Sequence, residues 1–306
     1  MTRLNQISYD NFEDAIRSSG IRLRTGPFTT NLSTKLRDVI HNLYLLYADH
    51  TVSIEPGFSD FHLKIHQPSF FRRWYHPQVN FSFDGLTPFN PLPRPQAYAI
   101  FEWGLNWCIS NYSHQYLMLH SAVLEKNGHA VIFPGAPGAG KSTLCAALSL
   151  SEWRLFSDEV ALIEPVSNNL VSNPRPISLK NKSIEIIKAF SGEAIIGKTI
   201  YDTSKGTIAH MQPPVESVHR SNEKAKPKII AFPKFIPGAK KSLIPLTKGE
   251  AFIKLCENAF NYSTLGLKGF DMMSELIDQC DCYQFEYSDL NDAIDTFNSI
   301  VPQKPL

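Results

Sequence analysis

Neither sign of charge dominates this chain: thirty Lys and Arg stand against twenty-nine Asp and Glu, a net charge of +1. That balance offers no broad field to a nucleic acid or an anionic membrane, so neither is an expected partner. No apolar run approaches the ~18 residues that a membrane-spanning helix needs. The opening Met1-Thr2-Arg3-Leu4-Asn5-Gln6 is too polar for a signal peptide. Cysteine is scarce as well. Cys108, Cys145, Cys256, Cys280 and Cys282 are odd in number and mostly scattered, which reads as reduced core thiols in a cytoplasmic setting. The Cys280/Cys282 pair has no two further ligands nearby, which argues against a metal there. What remains, 43% hydrophobic and 19% charged residues over 306 positions, is ordinary globular composition for one large or two smaller domains.

Against that plain background one octapeptide stands out. Gly135-Ala136-Pro137-Gly138-Ala139-Gly140-Lys141-Ser142 fits G-x-x-x-x-G-K-[ST]. Apolar residues 130–133 before it read as a buried strand, and 142–150 after it read as a helix with few breakers. In that setting glycines allow successive backbone N–H groups to close on phosphate oxygens, and the helix N-terminus adds its dipole to the same anion. ATP is therefore the expected ligand, held by Gly135, Ala136, Pro137, Gly138, Ala139, Gly140, Lys141, Ser142 and Thr143. Lys141 would reach the β- and γ-phosphates, and the Ser142 hydroxyl would ligate Mg²⁺.

Residues 1–92 carry no comparable motif and read as a small N-terminal α+β subdomain. Within it 21–24 is strand-like, 36–46 has apolar residues at helical spacing, and 60–65 and 79–83 alternate with period two. Asp84-Gly85 closes the last of these, and the proline-rich 87–95 is a rigid connector. The boundary falls there, leaving 93–306 as the ATP-binding domain. An aromatic helix over 96–107 suits core packing. Polar, basic 220–228 reads as a mobile loop or a lid. Beyond it come a strand over 229–232, a helix opened by Thr247 and Glu250 that runs through Phe260, and a strand over 283–287. Ser288 would cap a final helix whose apolar face holds Leu290, Ala293, Ile294, Phe297 and Val301.

Asn127-Gly128 between two apolar runs signals a two-residue hairpin. With those residues in the turn, Lys126 faces His129, Glu125 faces Ala130, and an uninterrupted ladder brings His120 opposite Gly135. His120 is thereby a candidate phosphate-side or base-assisting group. After the loop helix, 153–163 reads as strand carrying adjacent Asp158 and Glu159, where an acid that holds Mg²⁺ belongs. Neighbours in an ideal strand point to opposite faces, so both can serve one site only across a local break. Transfer of a phosphoryl group also requires cations beyond Lys141; Arg175, Lys180 and Lys205 are the candidates, with Arg220 and Lys234 ranked below them.

With the histidine strand, the loop and the paired acids in hand, residues 116–301 resemble the HPr serine kinase/phosphorylase superfamily, and its HPr kinase-related kinases more than the regulatory enzyme. The resemblance implies an α/β fold with a P-loop kinase core of the HPr kinase/PEP carboxykinase type. It implies ATP and Mg²⁺, catalytic roles for Asp158, His120 and Lys141, and metal binding by Ser142, Asp158 and Glu159. Two departures stand out: the second acid is Glu159 where the family has aspartate, and the E-x-R-G signature is missing, with Pro174-Arg175-Pro176 in its neighbourhood. The expected activity is transfer of a γ-phosphoryl group to a hydroxyl of a peptide or small protein. A nucleotide-gated binding module without transfer and a small-metabolite phosphotransferase are the alternatives. A homo-oligomer is admitted but not required.

Overall fold

The computed structural model describes residues 1–68 and 75–302. It is a mixed α/β structure in two connected layers. The first holds β1 (Thr2–Arg3), α1 (Tyr9–Ser18), β2 (Ile21–Thr25), β3 (Phe28–Thr34), α2 (Arg37–Leu46), β4 (Thr51–Ser53), β5 (Phe61–His66), β6 (Gln78–Phe83), β7 (Leu92–Pro93) and α3 (Ala97–Tyr112). Its strands form a seven-stranded sheet in the order β1-β4-β2-β3-β5-β6-β7. Period-two patterning sends Ile21, Leu23, Leu32, Leu63, Ile65 and Phe81 inward. There they meet Phe12 and Ile16 of α1, Val39 and Leu43 of α2, and Phe101 and Leu105 of α3 in one apolar cluster. Gly104 lets α3 lie close on the sheet, since a Cβ there would stand 2.1 Å from the Phe81 ring. Packing thus carries the N-terminal layer past residue 92 and through the aromatic helix.

The second layer begins with β8 (Leu117–Lys126), β9 (His129–Pro134), α4 (Lys141–Ser149), β10 (Arg154–Ser157), β11 (Val160–Ile163) and β12 (Leu170–Val171). Then come β13 (Ile177–Lys180), α5 (Lys182–Phe190), β14 (Ile200–Thr203), β15 (Gly206–Met211), α6 (Val215–His219) and β16 (Lys226–Phe235). The chain finishes with β17 (Ser242–Pro245), α7 (Lys248–Cys256), α8 (Tyr262–Leu265), α9 (Leu267–Gln279), β18 (Asp281–Tyr287) and α10 (Leu290–Ile300). The main sheet runs β12-β11-β8-β9-β16-β18-β17, with β10 also paired to β8. β9 and β18 lie parallel to β16 on either side of it. One face packs on α4 and α10 through Leu144, Leu148, Phe285 and Phe297. The other packs on α7 and α9 through Leu255, Met273 and Leu276. A small sheet, β13-β15-β14, flanks α4.

Three local expectations need correction. Ser288 does not cap the last helix: its hydroxyl donates to the Ala239 carbonyl, and Asp289 accepts the N–H groups of Asn291 and Asp292. The Thr247/Glu250 capping box is present, but α7 ends at Cys256, and α8 and α9 follow. The basic 220–228 segment is anchored rather than loose, because the Arg154 guanidinium donates to the carbonyls of Arg220 and Glu223, and β16 already starts at Lys226. Arg154 pairs with Glu125, five residues along β8 from His120. At about 3.3 Å per residue that is roughly 17 Å away, so the segment is no lid over His120. Among the described residues no helix is long and apolar enough to cross a membrane.

Candidate functional site

The β8–β9 hairpin turns on Asn127 and Gly128, both at positive φ, and its ladder pairs Lys126 with His129 and Ser121 with Pro134. The register is the expected one, yet the ladder stops one step short of His120 and Gly135. Asn258, just beyond α7, takes the place of the last rung. Its carbonyl accepts the His120 N–H at 2.6 Å, and its side-chain oxygen accepts the Gly135 N–H at 3.1 Å. The Gly135 N–H, expected to face a phosphate, is therefore engaged elsewhere.

The rest of the glycine loop is fastened from the opposite side. The Phe235 N–H donates to the Ala139 carbonyl at 3.1 Å, and the Tyr287 hydroxyl donates to the Gly140 carbonyl at 3.2 Å. Gly140 sits at φ +93, immediately before α4, and a Cβ there would stand 2.6 Å from the Tyr287 oxygen. Lys141 and Ser142 open α4, with Thr143 in the same first turn. The Lys141 ammonium donates back to the carbonyls of Gly135 and Ala136. Burial lowers its pKa, an effect that the charges of Glu159 and Asp158 oppose.

Asp158 and Glu159 occupy a break between β10 and β11. The expected single strand over 153–163 is two strands, both antiparallel to β8, with a register shift after Leu155. The Ser157 hydroxyl holds the break by accepting the N–H groups of Glu159 and Val160. Such a local side-chain acceptor competes with the strand ladder and turns the backbone. As a result the two carboxyl groups, which regular strand would have sent to opposite faces, act on one another.

Their surroundings push them apart in acidity. Asp158 is buried, and desolvation together with the Glu159 charge raises its pKa to about 6; the Ser178 N–H at 3.1 Å, the Lys180 charge and the nearby Ser142 hydroxyl pull it back. Glu159 moves the other way. Burial alone would raise it, but the His120 imidazole at 3.3 Å and the charges of Lys180 and Lys205 hold it well below the usual carboxylate range. The Lys180 ammonium lies 3.9 Å from its second oxygen. One acid able to take a proton and one that stays ionised is the pattern that separates acid–base from electrostatic work.

Of the three candidate cations, Lys180 and Lys205 converge on these acids, and Lys205 also lies 4.9 Å from the centre of the Trp103 ring. Arg175 is differently employed. Its guanidinium bonds the Glu102 carboxylate and the Asn106 side chain, both at 2.5 Å, and the Tyr47 hydroxyl at 3.4 Å. Tyr47 and Tyr98 donate in turn to Glu102, so Arg175 ties the two layers together. The lower-ranked pair are surface partners, Arg220 of Glu216 and Glu223, and Lys234 of Glu286.

Asn258, Tyr287 and Phe235 were not readable as loop contacts, because each approaches from more than ninety residues away in sequence and carries no motif. Ser142, Asp158 and Glu159 are the residues that could hold a metal here, although among the described residues no group of three or more His, Cys, Asp or Glu side chains is placed to hold one. Mg²⁺ is commonly held by one or two carboxylates together with substrate phosphates, and the buried Asp158 Oδ1 has no hydrogen-bond partner among the described residues. No protein-family model matches this sequence, and a comparison with the curated proteins finds no significant match.

Proposed function

We propose that this chain is an ATP-dependent kinase with a P-loop core of the HPr kinase/PEP carboxykinase type, transferring the γ-phosphoryl group to a hydroxyl of a peptide or protein. The observation that carries the reading is the convergence of the buried Asp158, the ionised Glu159 and Lys180 beside Ser142 at the start of α4. Burying Asp158 beside the charge of Glu159 is costly, and a purely structural strand would not need it. In this reading Lys141 exchanges its loop carbonyls for the β- and γ-phosphates. Asp158 accepts the proton of the attacking hydroxyl, and His120 and Lys180 hold Glu159 in place. Ser142 with the two acids would hold Mg²⁺, which neutralises charge on the transferring phosphoryl group. Phosphoryl transfer relies on positioning and electrostatics, and these groups supply both.

The test is twofold: titration of the purified protein with a fluorescent ATP analogue in the presence of Mg²⁺, and incubation with γ-labelled ATP and candidate peptide acceptors. Saturable binding with labelled acceptor supports a kinase. Binding without any labelled product would leave only a nucleotide-gated module, and absence of binding would remove both.

A further inference from the structure

Beneath the paired acids the fold leaves about 20 Å³ for the centre of a water molecule. A single water needs about 10–15 Å³ of such space, so the cavity has room for one water and for no side chain. Several contacts bring polar groups to it. The Ser178 N–H donates to Asp158 Oδ2 at 3.1 Å. His210 is the cross-strand partner of Ser178 between β13 and β15, which puts the two side chains on one face of the small sheet. Asn173 is tied to β10, its N–H donating to the carbonyl of Phe156, two residues before Asp158. The helix α3 closes the space through Trp103 and Asn106, and its Tyr98 stands edge-on to His210 with ring centres 5.2 Å apart.

Asp158 Oδ1, Asn173 Oδ1, Ser178 Oγ and His210 Nε2 have no hydrogen-bond partner among the described residues, and none of the four residues is more than 6% exposed. Buried polar atoms are rarely left unpaired, so four of them around one water-sized space call for a shared partner. Their chemistry matches a water bond for bond. Asp158 Oδ1 and Asn173 Oδ1 can only accept, and a water has two hydrogens to give them. Ser178 can donate. Burial lowers the His210 pKa, so its imidazole is neutral and carries one N–H, which Nε2 can present. Those two donors meet the two lone pairs of the water. An anion would instead meet Asp158 and Glu159, and a cation would meet an N–H group and the neighbouring charges of Arg175 and Lys180.

We infer that one internal water occupies this space and ties the Asp158 carboxyl group to Asn173, Ser178 and His210. These three are positioning residues, acting on Asp158 through the water. Each acid of the pair then has its own imidazole: Glu159 is held by His120 directly, and Asp158 by His210 at one remove. A carboxylate oxygen has two lone pairs, so the tether leaves Asp158 free to take a further ligand. Because α3 seals the water in, the N-terminal layer has a part in the site. The water site stands apart from the kinase reading; its use, keeping Asp158 turned toward Ser142 at the start of α4, rests on that reading.

The experiment compares wild type, His210→Gln and His210→Leu by high-resolution crystallography and, in solution, by oxygen-17 relaxation dispersion, which counts waters held inside a protein. Wild type is expected to show one solvent peak about 2.7–3.2 Å from all four atoms. His210→Gln retains an N–H donor and is expected to keep the water. His210→Leu does not, and is expected to lose at least half of the peak, to hold one long-lived water fewer, and to let the Asp158 carboxyl group turn. Should His210→Leu fail to fold by circular dichroism, Ser178→Val takes its place, since it keeps the backbone N–H to Asp158 and fills the space with methyl groups. A wild-type cavity without the peak, or a peak with the contacts of about 2.0–2.6 Å that mark a metal ion, would overturn the water site. An Asp158 carboxyl group left in its wild-type orientation by His210→Leu would overturn the positioning role. Failure to bind a fluorescent ATP analogue would overturn the kinase reading and leave the water site standing.

Discussion

His120 and Gly135 are joined through Asn258, whose backbone carbonyl takes the His120 N–H while its side chain takes the Gly135 N–H. The residue thus closes the end of the β8–β9 ladder and fixes where the glycine loop begins. Asn258→Ala keeps the carbonyl and removes the side-chain acceptor, which leaves a part-buried N–H unpaired at a cost of about 1–3 kcal/mol. The expected result is an ATP-analogue Kd raised about tenfold, measured by fluorescence titration, with little change in far-ultraviolet dichroism.

Gly140 is expected to tolerate no side chain. Its φ of +93 disfavours an L-residue, and a Cβ would collide with the Tyr287 hydroxyl at 2.6 Å. Gly140→Ala should cost about 1–3 kcal/mol, read as a lower melting temperature, and weaken nucleotide binding by displacing the first turn of α4. Adding Tyr287→Phe relieves the collision but not the backbone strain, so the double variant should recover only part of the loss.

The Arg175–Glu102 pair is buried, with side chains 8% and 4% exposed. Removing one partner strands a charge, so Arg175→Met is expected to destabilise the fold by about 3–5 kcal/mol in denaturant titration. Glu102→Gln with Arg175→Met should be milder than Arg175→Met alone, because no buried charge is then uncompensated. Were Arg175 instead a nucleotide ligand, its loss would weaken ATP binding with little effect on stability.

His50 makes stability depend on pH. Burial lowers its pKa from an ordinary 6.5 to about 4, and its ring N–H donates to the Pro174 carbonyl at 2.8 Å. Between those values the unfolded chain takes up a proton that the folded chain refuses. The stabilisation is therefore complete above about pH 6.5 and is lost as pH falls toward 4, by at most about 3 kcal/mol. His50→Gln retains an N–H donor without the titration. Its stability should fall less than wild type across that window in urea titrations. Buried His210 is shifted in the same direction and keeps part of the slope.

Much of this arrangement was legible in local sequence. Asn127-Gly128 set the hairpin register, because both residues accept positive φ at a two-residue turn, and the strand, loop and helix around residues 130–149 follow from short-range patterning. The break at Asp158 and Glu159, which the sequence admits as the condition for both acids to serve one site, had a local cause too, the Ser157 hydroxyl. The tie of Arg175 to Glu102 and Tyr47 was not legible, because a sequence does not reveal that these residues of the other layer meet it. Asn258, Phe235 and Tyr287 reach the glycine loop by tertiary approach alone. No spacing rule connects them.

The central claim is that Lys141 holds the nucleotide and Asp158 acts on the acceptor. It is tested most directly by measuring ATP-analogue affinity and γ-phosphoryl transfer side by side in wild type, Lys141→Ala and Asp158→Asn. The account predicts that Lys141→Ala loses both, and that Asp158→Asn binds within about threefold of wild type while transfer falls by about a hundredfold or more. Equal loss of binding in the two variants, or undiminished transfer by Asp158→Asn, would contradict it.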